Sequence, residues 1–176
     1  MIEYRNLIPD ELFPELFQHF IRHQIVTKCW RKENGAWNIK DVPFVDDWTK
    51  SDLEVLTACL KNTLKSGGFV YAAFDNQKLK GFVSVESALF GGEQKYLDLT
   101  SIHVSEDMRS LGIGKELFLS AKRWAKEHGA AKLYISAHSS VESQAFYRKM
   151  GCVEALVYNQ QHVQAEPCDC QLECVL

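Results

Sequence analysis

The chain has 176 residues, 46% apolar and 24% charged, with a formal net charge of −3. That size and composition suit one globular domain, residues 1–176, with a substantial core. An acidic balance without a Lys/Arg cluster argues against nucleic acid as a partner, and no apolar run nears the roughly 18 residues that a bilayer span needs. The amino terminus, MIEYRNLIPDELF, lacks the basic and apolar regions of a signal peptide. A cytoplasmic location is therefore expected, with Cys29, Cys59, Cys152, Cys168, Cys170 and Cys174 reduced.

In chain order, residues 2–8 read as a strand and residues 9–24 as a helix. From Lys28 to Trp48 the pattern loosens into a connection carrying three tryptophans. Helical order resumes at Ser51, where Ser51 and Glu54 form a capping-box pair ahead of Leu53, Leu56, Leu60 and Leu64. The SGG at 66–68 closes that helix. Three strands follow, at 69–74, 78–90 and 95–104, joined by turns at DNQ and GGEQ. After a loop, Ile113, Leu117, Ala121, Trp124 and Ala125 mark one apolar helix face, ending at His128 and Gly129. Residues 132–137 read as a strand, 139–151 as a helix, and 152–159 and 168–176 as strands. The order implies a mixed, mostly antiparallel α/β sheet flanked by helices.

The stretch VSEDMRSLGIGKELF, residues 104–118, carries the clearest chemistry. A helix start presents unpaired N–H groups and a partial positive charge. Gly112 and Gly114 allow positive φ and close approach by a ligand, and Arg109 and Lys115 add charge. The dinucleotide fingerprint would require glycine at 117, which is leucine. The Walker A loop would require glycine at 109 and Ser/Thr at 116, which are arginine and glutamate. An anion on bare amides fits the pattern, and so does a plain glycine turn from strand to helix.

The segments LTSIHVSEDMRSLGIGKELF and SSVESQAFYRKMGC together resemble the GCN5-related N-acetyltransferase (GNAT) superfamily. The first is similar to its [Q/R]-x-x-G-x-[G/A] motif through Arg109, Gly112 and Gly114. The second is similar to a helix that often reads N-x-x-A-x-x-x-Y-x-x-x-G-F. The resemblance implies an acetyl-CoA site in a β-loop-α unit. There the amides of Arg109, Ser110, Leu111, Gly112, Ile113, Gly114 and Lys115 would wrap the pyrophosphate. Backbone groups of the strand through Ile102, His103 and Val104 would meet the pantetheine arm. By the same resemblance Ser140 and Ser143 fall where the family has cofactor-binding residues, and Tyr147 falls on a tyrosine near the sulfur. Glu106, Ser140, Ser143 and Cys152 depart from the family's usual proline, asparagine, alanine and aromatic.

Acetyl transfer to an amine needs a neutral nucleophile and a protonated leaving thiolate. An alkylammonium has a reference pKa near about 10.4 and a thiol near about 8.5, so deprotonating the amine is the harder demand. Tyr147 offers the acid. Asp98 is the first candidate base: it shares strand parity with Thr100, Ile102 and Val104 if no bulge intervenes. Glu86 is the second, and His103 points to the opposite face. Trp30, Trp37 and Trp48 with Asp41, Asp46 and Asp47 suit a cationic acceptor through cation–π and charge pairing. Cys168, Cys170 and Cys174 share a strand face and lack the knuckle spacing of a zinc site, so no metal is expected. The expected partners are a small-molecule or peptide amine, and a homodimer is compatible with the sequence. Rival readings are a silent acyl-CoA-binding domain and a phosphate-binding domain for another nucleotide.

Overall fold

The computed structural model describes residues 1–176 as a seven-stranded mixed sheet with a separate two-stranded hairpin. Strands β1 (Ile2–Asn6), β4 (Phe69–Asp75), β5 (Lys78–Val85), β6 (Tyr96–Val104), β7 (Lys132–Ala137), β8 (Val153–Glu154) and β9 (Cys170–Val175) lie in the order β1-β4-β5-β6-β7-β9-β8. Only β6 and β7 pair in parallel. The α/β class and the mostly antiparallel sheet are therefore as the sequence indicated.

Residues 9–24 are not one helix. Pro9 and Pro14 each begin a short 3-10 turn, Pro9–Glu11 and Pro14–Phe17. Proline removes an N–H and pushes its predecessor to extended backbone, and Phe13 takes φ −126°, ψ 159°. The supposedly irregular connection is a long hairpin, β2 (His23–Glu33) with β3 (Ala36–Asp47). Asn34 and Gly35 turn it with φ of 51° and 78°, the left-handed pair that a two-residue hairpin loop demands.

Helix α1 (Lys50–Lys65) is capped two residues earlier than expected, at Thr49 rather than Ser51. Thr49 accepts from the Asp52 N–H at 3.2 Å, and the Asp52 carboxylate accepts from the Thr49 N–H at 2.7 Å. The β5 strand stops at Val85. Residues 152–159 supply only the two-residue β8, and a short helix, α4 (Gln160–Ala165), follows. Cys168 precedes β9 and is exposed, whereas Cys170 and Cys174 are buried.

Two apolar layers hold the sheet. On one face α2 (Ile113–Glu127) buries Ile113, Leu117, Phe118, Ala121 and Ala125 against β4, β5, β6 and β7, and α3 (Val141–Lys149) adds Tyr147. Burying side chains of this size contributes about 1.5–3 kcal/mol for each larger aliphatic. Gly81 lets α2 come this close: a Cβ there would stand 2.9 Å from Ile113 Cγ2. On the opposite face Leu60 of α1 packs with Phe17, Leu79 and Phe82. No helix is long and apolar enough to cross a membrane.

Candidate active site

The loop between β6 and α2 is anchored before it presents anything. Buried Lys80 donates to Asp107 at 2.6 Å and to the His19 carbonyl at 2.9 Å. Ser105 donates to Asp107 at 2.5 Å and accepts from the Ile21 N–H at 2.8 Å. Burial pushes the Asp107 carboxyl up, but the hydrogen bonds from Lys80 and Ser105 outweigh it and hold it below the ordinary range. Beyond this anchor Ser110 takes φ 66° and Gly112 φ 83°. A non-glycine residue held at positive φ marks a segment whose shape is enforced by its surroundings.

The consequence is a run of free donors. The N–H groups of Ser110, Leu111, Gly112, Ile113, Gly114 and Lys115 donate to no protein acceptor, and no side chain caps α2. Ser110, Leu111, Gly112 and Lys115 are exposed. The two glycines differ in role. A Cβ at Gly112 would meet nothing within 4 Å, so positive φ is what selects glycine there. A Cβ at Gly114 would lie 3.3 Å from Phe146 Cε2 and 3.6 Å from Val104 Cγ2, so close packing of α2, α3 and β6 selects the second. Arg109 Nε lies 3.5 Å from the Val104 carbonyl. Fixed amides and one αL turn at a helix start form an anion cradle.

Beside this cradle the sheet opens. Strands β6 and β7 pair only at Tyr96↔Lys132, Leu97↔Leu133 and Asp98↔Tyr134, although both run on beyond these residues. The β6 edge from Leu99 to Val104 therefore has no β7 partner. With the Ser105 N–H donating to the Lys80 carbonyl, alternation turns the His103 backbone toward β5 and leaves Ile102 and Val104 facing the gap, as an extended ligand arm requires.

Asp98 stands at the vertex of the gap, but not on the expected face. The register with β5 passes from Ser84↔Ser101 to Val85↔Leu99, leaving Thr100 as an extra residue. This bulge flips the side chains, so Leu97 and Leu99 share the α2 face with Ile102 and Val104. Asp98 points the other way, with Tyr134, and Thr100 joins that face through a 2.8 Å hydrogen bond with Ser84. Glu86 lies alongside: its N–H donates to the Asp98 carbonyl at 2.9 Å, and its carboxylate accepts from Thr63 of α1 at 2.5 Å.

Tyr147 is 9% exposed on the α2 face, and its hydroxyl makes no hydrogen bond to protein. Burial, with Cys152 and Asp169 adding to it, pushes the phenol above its ordinary range, so it stays protonated. Ser140 is fully buried as the cap of α3. Its hydroxyl accepts from the Ser143 N–H at 3.2 Å and donates to Ser143 Oγ at 2.9 Å. That employment is structural, whereas the Ser143 hydroxyl keeps its own proton free to donate.

The hairpin docks beyond the end of β7: the Trp30 N–H donates to the Ser139 carbonyl at 2.8 Å, and Cys29 bridges Ser140. Trp30 and Trp37 come together in a cavity of about 190 Å³ with Gln144, Arg148 and Glu154. The Arg148 guanidinium lies 4.7 Å from the Trp30 ring centre. This cavity adjoins Cys170 and Leu172 on the α2 side of the sheet, so the tryptophan pair and Asp98 are on opposite faces. Trp48 instead packs with Phe20, Phe82 and His103. Asp46 is engaged by Arg22 at 2.6 Å, and exposed Asp41 faces Lys28 at 3.5 Å. His103 is an edge-on partner of Trp48 at 4.9 Å, and burial with Arg22 and Arg109 nearby pushes its imidazole down to about 3.

One residue at the site, His162, was given no catalytic role by the sequence. His162 of α4 places Nε2 2.6 Å from Asp98 Oδ2. The Asp98 hydrogen bond raises its imidazole above the ordinary range, against the lowering effect of burial. Asn159 does show the helix-start residue type, and it accepts from the N–H groups of Gln161 and His162. Nothing local to residues 159–165 points to a carboxylate 64 positions earlier.

Comparison with known proteins returns one family model, Acetyltransferase (GNAT) family, matching residues 24–152. A search of curated proteins finds no match. Among solved structures, a nourseothricin acetyltransferase is 19% identical over 98% of this chain and 95% of its own, with a TM-score of 0.65. A provisional streptothricin acetyltransferase of Bacillus anthracis, crystallised with acetyl-CoA, is 19% identical over 98% and 96%, at 0.72. A PaiA N-acetyltransferase of Thermoplasma acidophilum, in complex with CoA, is 16% identical over 100% and 99%, at 0.62. At these identities the likeness is one of fold.

Proposed function

The chain belongs to the GNAT acetyltransferase family, and on that premise we propose that it moves acetyl from acetyl-CoA to a primary amine of a small molecule or peptide. Acetyl-CoA is the co-substrate, supplying an activated acyl carbon and a thiolate leaving group. The observation that carries the reading is the run of free N–H groups from Ser110 to Lys115, set beside the open edge of β6. Those amides, with Arg109 and Lys115, hold the pyrophosphate. The unpaired backbone of Ile102 and Val104 holds the pantetheine arm in the gap.

Asp98 acts as base on the acceptor ammonium and Tyr147 as acid for the sulfur, each approaching the vertex from its own face of the sheet. The Tyr147 proton is retained because burial disfavours phenolate, and Asp98 Oδ1 is buried with no hydrogen-bond donor of its own. Acid–base help of this kind contributes roughly 10²- to 10⁴-fold. Glu86 and the polar face around Thr100 border the acceptor. The six cysteines are unpaired, which suits the reducing cytoplasm as the place of action.

Calorimetric titration with acetyl-CoA, with ADP as control, tests the cofactor site. Release of CoA thiol in the presence of a panel of primary amines tests transfer. Binding selective for acetyl-CoA together with amine-dependent thiol release is the expected outcome. Equal binding of ADP, or thiol release indifferent to amine, would overturn the proposal.

A further inference from the structure

We propose that His162 is a proton relay, carrying to solvent the proton that Asp98 takes from the acceptor ammonium. The inference rests on the N-acetyltransferase reading above and assigns a residue to it. Three observations support it. His162 Nε2 lies 2.6 Å from Asp98 Oδ2, while Oδ1 of the same carboxylate is buried and unpartnered at the vertex of the β6/β7 gap. The two oxygens are thus divided, one toward the histidine and one left free for a substrate.

The histidine also has an outlet. Its side chain is 29% exposed against 13% for Asp98, and its other ring nitrogen bonds no protein atom. Finally, the ring is held in place. It stacks on Tyr134 with 14° between the ring planes and 6.0 Å between centres. The Tyr134 hydroxyl accepts from the Asn159 N–H at 2.9 Å, and Asn159 caps the helix that bears His162. Tyr134 in turn donates to Gln171 of β9. A six-residue helix on the surface is pinned from below by two strands, and its histidine is aimed at one carboxylate oxygen.

The proton balance closes. An alkylammonium must lose one proton before it can attack, and that proton passes to Asp98 Oδ1. The nitrogen–carbon bond then forms as the carbon–sulfur bond breaks. Tyr147 protonates the thiolate and recovers a proton from the same nitrogen, leaving a neutral amide and a neutral thiol. One proton per turnover remains, on Asp98. Moving it from Oδ2 through His162 to water resets the carboxylate without opening the site. The charged and titratable groups facing the imidazole are Asp98 of β6, Tyr134 of β7 and Asp169 ahead of β9, so the balance of charge around it is negative.

The test compares wild type with His162→Gln, which keeps an amide donor toward Asp98 but cannot carry a proton, and with His162→Ala. Thermal denaturation and acetyl-CoA titration establish that each variant is folded and loaded. In the relay, kcat falls by about a hundredfold in His162→Gln and the histidine inflection leaves the pH profile of kcat. Added imidazole restores His162→Ala. Turnover by His162→Gln with the wild-type pH profile would overturn the relay alone, leaving the acetyltransferase intact. Wild-type protein that binds acetyl-CoA but acetylates no amine would overturn both. An NMR titration in which His162 loses its raised pKa in Asp98→Asn supports the pair on which the relay depends, and an unmoved titration overturns it.

Discussion

Replacing Gly112 with valine tests the anion cradle by conformation alone. The residue has φ 83°, and a Cβ there meets no protein atom within 4 Å, so steric conflict within the protein contributes nothing. What remains is the left-handed backbone, which costs an L-residue about 1–2 kcal/mol. If the loop keeps its shape, that cost falls on folding, and Tm drops by about 2–8 °C in a domain of this size. If the loop relaxes to negative φ, the free N–H groups no longer converge. Restoring them on binding then costs the same energy, and acetyl-CoA affinity falls by about five- to thirtyfold. The β-branched valine favours relaxation, so weaker binding with a nearly unchanged Tm is expected. Calorimetric titration and thermal denaturation on the same preparation read both quantities. A folded Gly112→Val protein with wild-type affinity and wild-type Tm would refute the account of the loop.

Gly114→Ala is a useful contrast: its Cβ meets Phe146 at 3.3 Å, so the ring must shift by a few tenths of an ångström, and the change should register in Tm, by a few degrees at most, rather than in acetyl-CoA affinity. Tyr147→Phe deletes a hydroxyl with no protein partner, so Tm and acetyl-CoA affinity should hold while kcat falls by roughly 10²-fold; an unchanged kcat would remove the acid role. Asp98→Asn should lower kcat/KM for the amine by a similar factor, most strongly below neutral pH, and a complete pH–rate profile would show it. His103 is held neutral to about pH 3 in the fold, whereas an unfolded histidine protonates near about 6.5. The unfolded state therefore binds more protons between those values, and stability is lost as pH falls through that window, by roughly 3 kcal/mol at pH 4. Urea denaturation of His103→Phe, which keeps the ring contact with Trp48, should show a shallower acid decline.

The parts of the site that were legible in sequence are those coded by neighbours. Gly112, Gly114 and the apolar spacing of Ile113, Leu117, Ala121 and Ala125 sit within one strand-loop-helix unit, and the fold buries that apolar face as the spacing implies. The hairpin was missed: Asn34-Gly35 is a turn signal, but the scattered charge of β2 and β3 obscured the strands on either side, and the segment read as a loose connection. Residues 9–24 misled because their apolar spacing is helical while Pro14 forbids the helix. Other features had no local trace. The Asp98–His162 contact spans 64 positions, and the bulge at Thr100 exists only in the register of β6 against β5.

That bulge accounts for the plan of the site. An unbroken β6 would put Asp98 on the same face as Ile102 and Val104, beneath α2 and α3, where the apolar layer leaves no room for an acceptor or a route for protons. One extra residue turns the carboxylate to the opposite face while the cofactor-facing backbone stays in register with β5. Asp98 and the buried Tyr147 therefore lie on opposite faces of the sheet. The same turn brings Asp98 under α4, where His162 and water are within reach. In the proposed mechanism, a single inserted residue in one strand thus divides cofactor binding, on the α2 face, from acceptor chemistry on the other.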